Sequence, residues 1–153
     1  DDPDHQLAEL LSEGSGLTFI GEPGSGKTRL AALVAATVAT WGIWPKFLSA
    51  GTIRSAAFSD WPAAAKIIKE HTKPRLLILD DLGKGAPSAQ GDEIAFQILD
   101  ARTMAQRSTI ITTQYVPEQL TARFLDEHTA KGILRRIGTD FNSTIILPPN
   151  KQP

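Results

Sequence analysis

Between positions 21 and 28 the chain reads Gly21-Glu22-Pro23-Gly24-Ser25-Gly26-Lys27-Thr28. Small residues let successive backbone N–H groups curl inward into an anion nest. A lysine and a hydroxyl follow at once, and G-x-x-x-x-G-K-[ST] is the spacing of a loop that wraps a polyphosphate. In that arrangement Lys27 reaches the β- and γ-phosphates. The Thr28 hydroxyl takes Mg²⁺, a hard cation that selects oxygen ligands. Glu22, Pro23, Gly24, Ser25, Gly26, Lys27, Thr28 and Arg29 are therefore the candidate nucleotide-binding residues, with ATP and Mg²⁺ as the expected ligands. A chance match in a chain of this length has odds on the order of 1%.

Three further groups belong beside this loop. The run Arg75-Leu76-Leu77-Ile78-Leu79 ends in Asp80-Asp81-Leu82-Gly83. An acid at the carboxyl end of an apolar strand suits the metal half of a phosphate site, so Asp80 is expected to hold Mg²⁺ through water. Asp81 is expected to face the γ-phosphate and orient or deprotonate the attacking water. A later run closes on Thr112-Thr113-Gln114. Gln114 is expected between the tips of the first and third strands, beside the γ-phosphate. The two threonines read equally well as the end of a strand. Arg135-Arg136 lies near a helix C-terminus, where the dipole favours cations on any surface. An arginine there cannot easily reach its own chain's phosphates but could reach a neighbouring subunit's.

The elements that must position these groups follow from hydrophobic periodicity. Apolar runs predict strands at 17–20, 46–49, 75–79, 108–112 and 143–147. Helical spacing appears at 29–40, 52–58, 62–71, 92–106, 117–125 and 127–137. Asp60 is placed to cap the third of these helical segments ahead of Pro62. A weak helical pattern through Leu7, Leu10 and Leu11 is broken by Gly14-Ser15-Gly16. Strands alternating with helices predict an α/β sandwich with a mostly parallel sheet.

Composition sets the limits. One domain is expected for 153 residues, and a hydrophobic content of 41% is enough for a core. A net charge of −1 gives no global case for binding nucleic acid or membrane. Lys46, Arg54, Lys66, Lys69, Lys73 and Arg75 against Asp60 and Glu70 make one locally basic stretch, read as solvated surface. The absence of cysteine excludes disulfides and thiol chemistry and suits a cytoplasmic location. The longest apolar stretch is too short to span a bilayer. A start at Asp1-Asp2-Pro3 fits a piece of a longer protein. His5, His71 and His128 fit no metal spacing and are expected at the surface. Trp41, Trp44 and Trp61 are expected to pack at the sheet edge, with base stacking as the alternative. Lys84, Arg54 and Lys66 are further candidates for single-stranded DNA phosphates.

Taken together, Gly21 to Thr28, Leu77-Ile78-Leu79-Asp80-Asp81-Leu82-Gly83, Ser108-Thr109-Ile110-Ile111-Thr112-Thr113-Gln114 and Ile133-Leu134-Arg135-Arg136-Ile137 resemble the Walker A, Walker B, sensor 1 and box VII segments of AAA+ ATPases. The DnaC/IstB-like branch of bacterial and phage helicase loaders and transposition helpers is the most similar. The resemblance implies an α/β P-loop NTPase of the three-layer type, with a five-stranded parallel sheet and no C-terminal lid domain. It implies an extension or linker at 1–16 and the ATPase core at 17–153. Lys27, Asp81, Gln114 and Arg136 then become the catalytic set, with Arg136 as a trans-acting arginine finger and Arg135 in reserve. Thr28 and Asp80 become the metal ligands. Gln114 stands where the family usually has Asn. The implied partners are single-stranded DNA, a replicative helicase gripped through a module absent from this chain, and further copies of the chain, with ATP between subunits. An IstB-like transposition helper and a non-hydrolysing adaptor are the alternative readings. A small P-loop kinase fits less well, because no Arg-rich lid segment follows the fourth strand.

Overall fold

The computed structural model describes residues 2–138 and 140–149. Helix α1 (Pro3–Ser12) precedes strand β1 (Gly16–Ile20), and α2 (Lys27–Ala39) leads to β2 (Lys46–Ser49). Helices α3 (Ala50–Ala57) and α4 (Trp61–Thr72) return to β3 (Leu76–Asp80). Helix α5 (Ala89–Met104) then leads to β4 (Ser108–Thr113), and α6 (Pro117–Thr121) and α7 (Glu127–Ile137) lead to β5 (Asn142–Ile146). The five strands form one sheet in the order β2-β3-β4-β1-β5, and every pair is parallel. Among the described residues no helix follows β5. None is long and apolar enough to cross a membrane.

Side-chain alternation divides the core into two layers. Along β3, Leu77 and Leu79 face one apolar cluster while Leu76 and Ile78 face the other. The first cluster is roofed by residues of α3, α4, α5 and α7, including Ile53, Ala64, Ile98 and Ile133. The second is roofed by Ala31, Ala35 and Val38 of α2, with Leu7 and Leu11 of α1 packed at its margin. Strands buried on both faces carry continuous apolar runs, which is why β3 and β4 were legible.

Element ends differ from expectation where local hydrogen bonds decide. Gly16 already belongs to β1, its N–H donating to Phe141 O (3.1 Å). Helix α5 starts three residues early because the Ser88 hydroxyl caps it, accepting from Gly91 N–H (3.0 Å). Helix α6 stops at Thr121, and Asp126 then caps α7 through Thr129 N–H (2.8 Å). Two of the tryptophans do not pack at the sheet edge: Trp44 is 79% exposed and Trp61 58%, whereas Trp41 is 37% exposed. His71 is buried rather than superficial, its Nδ1 lying 2.7 Å from Ile67 O. His5 and His128 are exposed as expected.

The amino-terminal ends of β3 and β4 are locked by a residue that periodicity cannot reveal. Arg102 of α5 is fully buried and has no acidic partner among the described residues. Its guanidinium donates to Thr109 Oγ1 (2.8 Å) and to the carbonyls of His71 (3.0 Å), Pro74 (2.8 Å) and Ser108 (2.7 Å). A planar fork with five donors suits such a ring of acceptors. Burial, with the like charge of Arg107, lowers its pKa to about 10, so it stays charged at neutral pH. Arg102→Met would strand these acceptors in the interior. A loss of about 3 kcal/mol is expected, the scale for breaking a buried polar network. Urea unfolding of both proteins checks it by a lower midpoint at unchanged slope.

Candidate functional site

The glycine loop joins β1 to α2, and each glycine has its own reason. At Gly21 an added Cβ would lie 2.3 Å from Ser25 Oγ, so the turn leaves no room for a side chain. Gly24 and Gly26 hold φ of +83° and +93°, the left-handed region that glycine enters without strain. An added Cβ at either meets nothing within 4 Å, so both border open space. Gly26 is also the N-cap of α2, and no side chain caps that end. The first N–H groups of α2 therefore lack a side-chain acceptor where the helix dipole is positive.

Lys27 is only 6% exposed, and among the described residues its Nζ donates to Glu22 O alone, at a long 3.4 Å. An ammonium with three donors and one weak acceptor is suited to an anion in the loop. Ser25 Oγ is buried without a hydrogen-bond partner among the described residues, a second group with capacity to spare. Open space beside two glycines, uncapped amides, an under-used ammonium and an orphaned hydroxyl fit a phosphate chain. Arg29 is exposed on the first turn of α2.

Strand β4 lies between β1 and β3, and its end organises the acids. Thr112 Oγ1 donates to Asp80 Oδ1 (2.6 Å) and accepts from the Asp81 N–H (2.9 Å). Thr28 Oγ1 donates to the same Asp80 Oδ1 (3.0 Å). The loop hydroxyl and the strand-end carboxylate are thus in direct contact. A hydroxyl and one carboxylate, completed by phosphate and water, are a donor set suited to Mg²⁺. Among the described residues no cluster of three or more acids or histidines offers a dedicated metal cage.

Asp81 sits at φ +58°, a left-handed conformation uncommon outside glycine. The hydrogen bond from its N–H to Thr112 holds it there. Its Oδ2 lies 3.8 Å from Lys84 Nζ, so the carboxylate is turned toward the following loop. Thr112, weighed from the sequence as a strand end, is the residue that reasoning missed. The available signal was a hydroxyl in a fully buried strand, which must find a partner.

Gln114 lines a shallow groove with Ile20, Gly21 and Glu22, so it does lie beside the loop. Its Nε2 donates to Tyr115 Oη (2.6 Å). The two arginines of α7 differ sharply. Arg136 is 21% exposed and is held within its own chain: it donates to Asp100 Oδ1 (2.8 Å) and to Gly132 O (2.8 Å) and stacks 4.7 Å from the Phe96 ring centre. Arg135 is 73% exposed and only loosely paired with Asp140 (3.9 Å). Both border an open groove between α5 and α7. Of the further DNA candidates, Lys84 and Lys66 are exposed, whereas Arg54 is half-buried beneath Gly85.

Known proteins are similar to this chain in sequence and fold. The insertion-sequence IS232 protein of Bacillus thuringiensis subsp. berliner is 30% identical over 135 residues, 84% of this chain and 52% of that protein. The crystal structure of the DnaC helicase loader matches with a TM-score of 0.73 at 25% identity, over 97% of this chain and 92% of that one. The crystal structure of DnaI matches at 0.79 and 22% identity, over 97% and 87%, a likeness of fold. The chain spans about half the length of the curated relatives it matches. The fold is that of the P-loop AAA+ domains. The family model of the IstB-like ATP binding proteins matches residues 6–145, and this chain belongs to that family.

Proposed function

We propose that this domain binds ATP with Mg²⁺ and hydrolyses it, as the motor module of a DnaC-like replicative helicase loader. The observation that carries the nucleotide reading is Lys27, a buried ammonium with one weak acceptor beside uncapped helix amides. Lys27 and the amides of the loop would bind the β- and γ-phosphates and offset the charge that gathers as the terminal phosphate leaves. Thr28 and Asp80 would hold the metal, which would supply charge neutralisation on the phosphates. Gln114 orients a water in line with the bond to the γ-phosphorus. Asp81 accepts that water's proton as the new P–O bond forms and the bond to the ADP oxygen breaks. For this Asp81 must turn from Lys84 toward the nucleotide.

ATP between subunits places an arginine of one copy at the phosphates of the next. The box VII position favours Arg136, yet to reach out it must leave Asp100 and Phe96. Arg135 needs no such release. Single-stranded DNA and a helicase are the proposed partners, supported by the likeness to the DnaC helicase loader along nearly all of its chain. The family match and the IS232 relative favour a second reading, a transposition helper acting on double-stranded DNA. Steady-state phosphate release separates them by which DNA stimulates it. No turnover with either DNA, in an assembled form, overturns the enzymatic reading.

Three outcomes are expected. Lys27→Ala removes Mg·ATP uptake in calorimetry while the thermal midpoint holds. Thr112→Val keeps volume and strand preference but drops both links to the aspartates. Nucleotide affinity should stay within a few-fold while turnover falls about 10²-fold, the scale for a displaced reacting group. Arg135→Ala should leave stability unchanged, whereas Arg136→Ala should lower it by about 1–3 kcal/mol through its half-buried pair. Mixing each variant with Lys27→Ala subunits identifies the finger: the variant that lacks it is inactive alone and regains turnover in the mixture, because the Lys27→Ala neighbour supplies the missing arginine to its intact site.

A further inference from the structure

Residues 81–88, between β3 and α5, are tied down along their length. Leu82 is clamped to β4: its N–H donates to Thr112 O (2.9 Å) and its carbonyl accepts from Thr113 Oγ1 (2.8 Å). The next two anchors come from one side chain in the turn after α6. Arg123 Nε donates to Gly83 O (2.9 Å) and its Nη2 to Gly85 O (2.5 Å). Both glycines hold φ of +87°, which turns successive carbonyls toward the same guanidinium. A planar fork with two parallel donors fixes the spacing of two acceptors in a way an ammonium cannot.

The same guanidinium reaches back toward the nucleotide. It lies 5.1 Å from the centre of the Tyr115 ring, and Tyr115 Oη accepts from Gln114 Nε2 (2.6 Å). Gly83 packs against that ring, since an added Cβ would stand 3.1 Å from Tyr115 Cδ2 and 2.7 Å from Leu120 Cδ1. Gln114, Tyr115, Arg123 and the carbonyls of Gly83 and Gly85 therefore form one unbroken chain of contacts. It begins at the groove beside the phosphate loop and ends in the segment that carries Asp81 and Lys84.

Stability alone does not account for this placement. Arg123 forms no ion pair among the described residues and faces a second guanidinium, Arg54, packed under Gly85. Burial first lowers the Arg54 pKa; Asp92 opposes this and Arg123 adds to it. Arg54 Nη1 is buried without a hydrogen-bond partner among the described residues. Two like charges on one short loop, one of them under-satisfied, are costly for a mere staple.

We propose that Arg123 is a positioning residue: through Tyr115 it couples the state of Gln114 to the loop 81–88 and so sets where the Asp81 carboxylate stands. A nucleotide that engages Gln114 competes for the amide now given to Tyr115. The ring and the stacked guanidinium follow, and the carbonyls of Gly83 and Gly85 move with them. That shift draws Asp81 away from Lys84. The inference rests on the hydrolysis reading for its kinetic arm only.

Three variants of the full chain test it: Arg123→Met, Arg123→Lys and Tyr115→Phe. Nucleotide affinity, turnover at saturating ATP and amide hydrogen exchange of residues 83–88 are measured with and without Mg·ATP. Arg123→Met should bind nucleotide within about two-fold of wild type but turn over about ten- to hundred-fold more slowly. Arg123→Lys restores the charge but not the two-point grip, so turnover should stay low. Tyr115→Phe, which loses only the hydroxyl, should slow turnover with no change in thermal midpoint. In wild type Mg·ATP should alter exchange at 83–88, and Arg123→Met should abolish that change. Wild-type turnover in Arg123→Met, or equal losses of binding and turnover, overturns the proposal. Should wild type bind ATP without hydrolysing it, the hydrolysis reading fails and exchange alone decides. A nucleotide response at 83–88 that survives Arg123→Met then overturns the coupling, and its disappearance supports it.

Discussion

A single hydroxyl at the end of the central strand fixes the geometry of the site. Thr112 Oγ1 donates to the carboxylate of Asp80 and accepts the N–H of Asp81. It therefore sets the side chain of one acid and the backbone of the next. The bond to Asp81 holds a non-glycine residue in the left-handed region, a conformation that needs outside support. Asp80, so oriented, meets Thr28 of the phosphate loop. Strands β3 and β4 and the first turn of α2 thus converge on two oxygen atoms. The arrangement is possible only because β4 lies between β1 and β3.

The strand pair that supports this hydroxyl is secured at both ends by different chemistry. At the loop end the Thr113 hydroxyl and the Thr112 carbonyl grip Leu82. At the other end Arg102 gathers carbonyls from His71, Pro74 and Ser108. Between them run Leu76 to Leu79 and Thr109 to Ile111, buried on both faces. Apolar burial supplies most of the drive to form such a sheet but is insensitive to sub-ångström placement. The polar clamps supply direction, because a buried donor or acceptor without its partner costs more than a made bond returns. A rigid floor of this kind lets the loops above it move without losing register.

Charge is distributed with the same economy of contact. The basic stretch from Lys46 to Arg75 is offset in part by Glu70, which meets both Lys46 and Lys66. These exposed pairs contribute little to stability. The half-buried pair of Arg136 with Asp100 is of another kind. It joins α7 to α5 and adds a stacked Phe96, so the residue that the family resemblance marks for action in trans also serves in cis. Arg135 beside it stands exposed.

The phosphate loop, the acid pair, the five strands and the alternating helices were all legible in the order of residues. Each depends on local rules: glycines where the chain turns left-handed, apolar runs where both faces are covered, and an acid where a strand ends. The family could be read for the same reason, since its motifs are short and contiguous. The sequence alone did not show what Thr112 and Arg102 hold: Thr112 meets Asp80 and Asp81 about thirty positions away, and Arg102 joins the nearby Ser108 and Thr109 to the distant His71 and Pro74. It misplaced Trp44, Trp61 and His71, because burial of one side chain depends on which helix happens to cover it. It ranked Arg136 over Arg135 on motif position. Tertiary packing alone revealed that one is held by Asp100 and Phe96 while its neighbour projects into solvent. Contacts distant along the chain are set by the folded backbone as a whole, and no window of residues contains them.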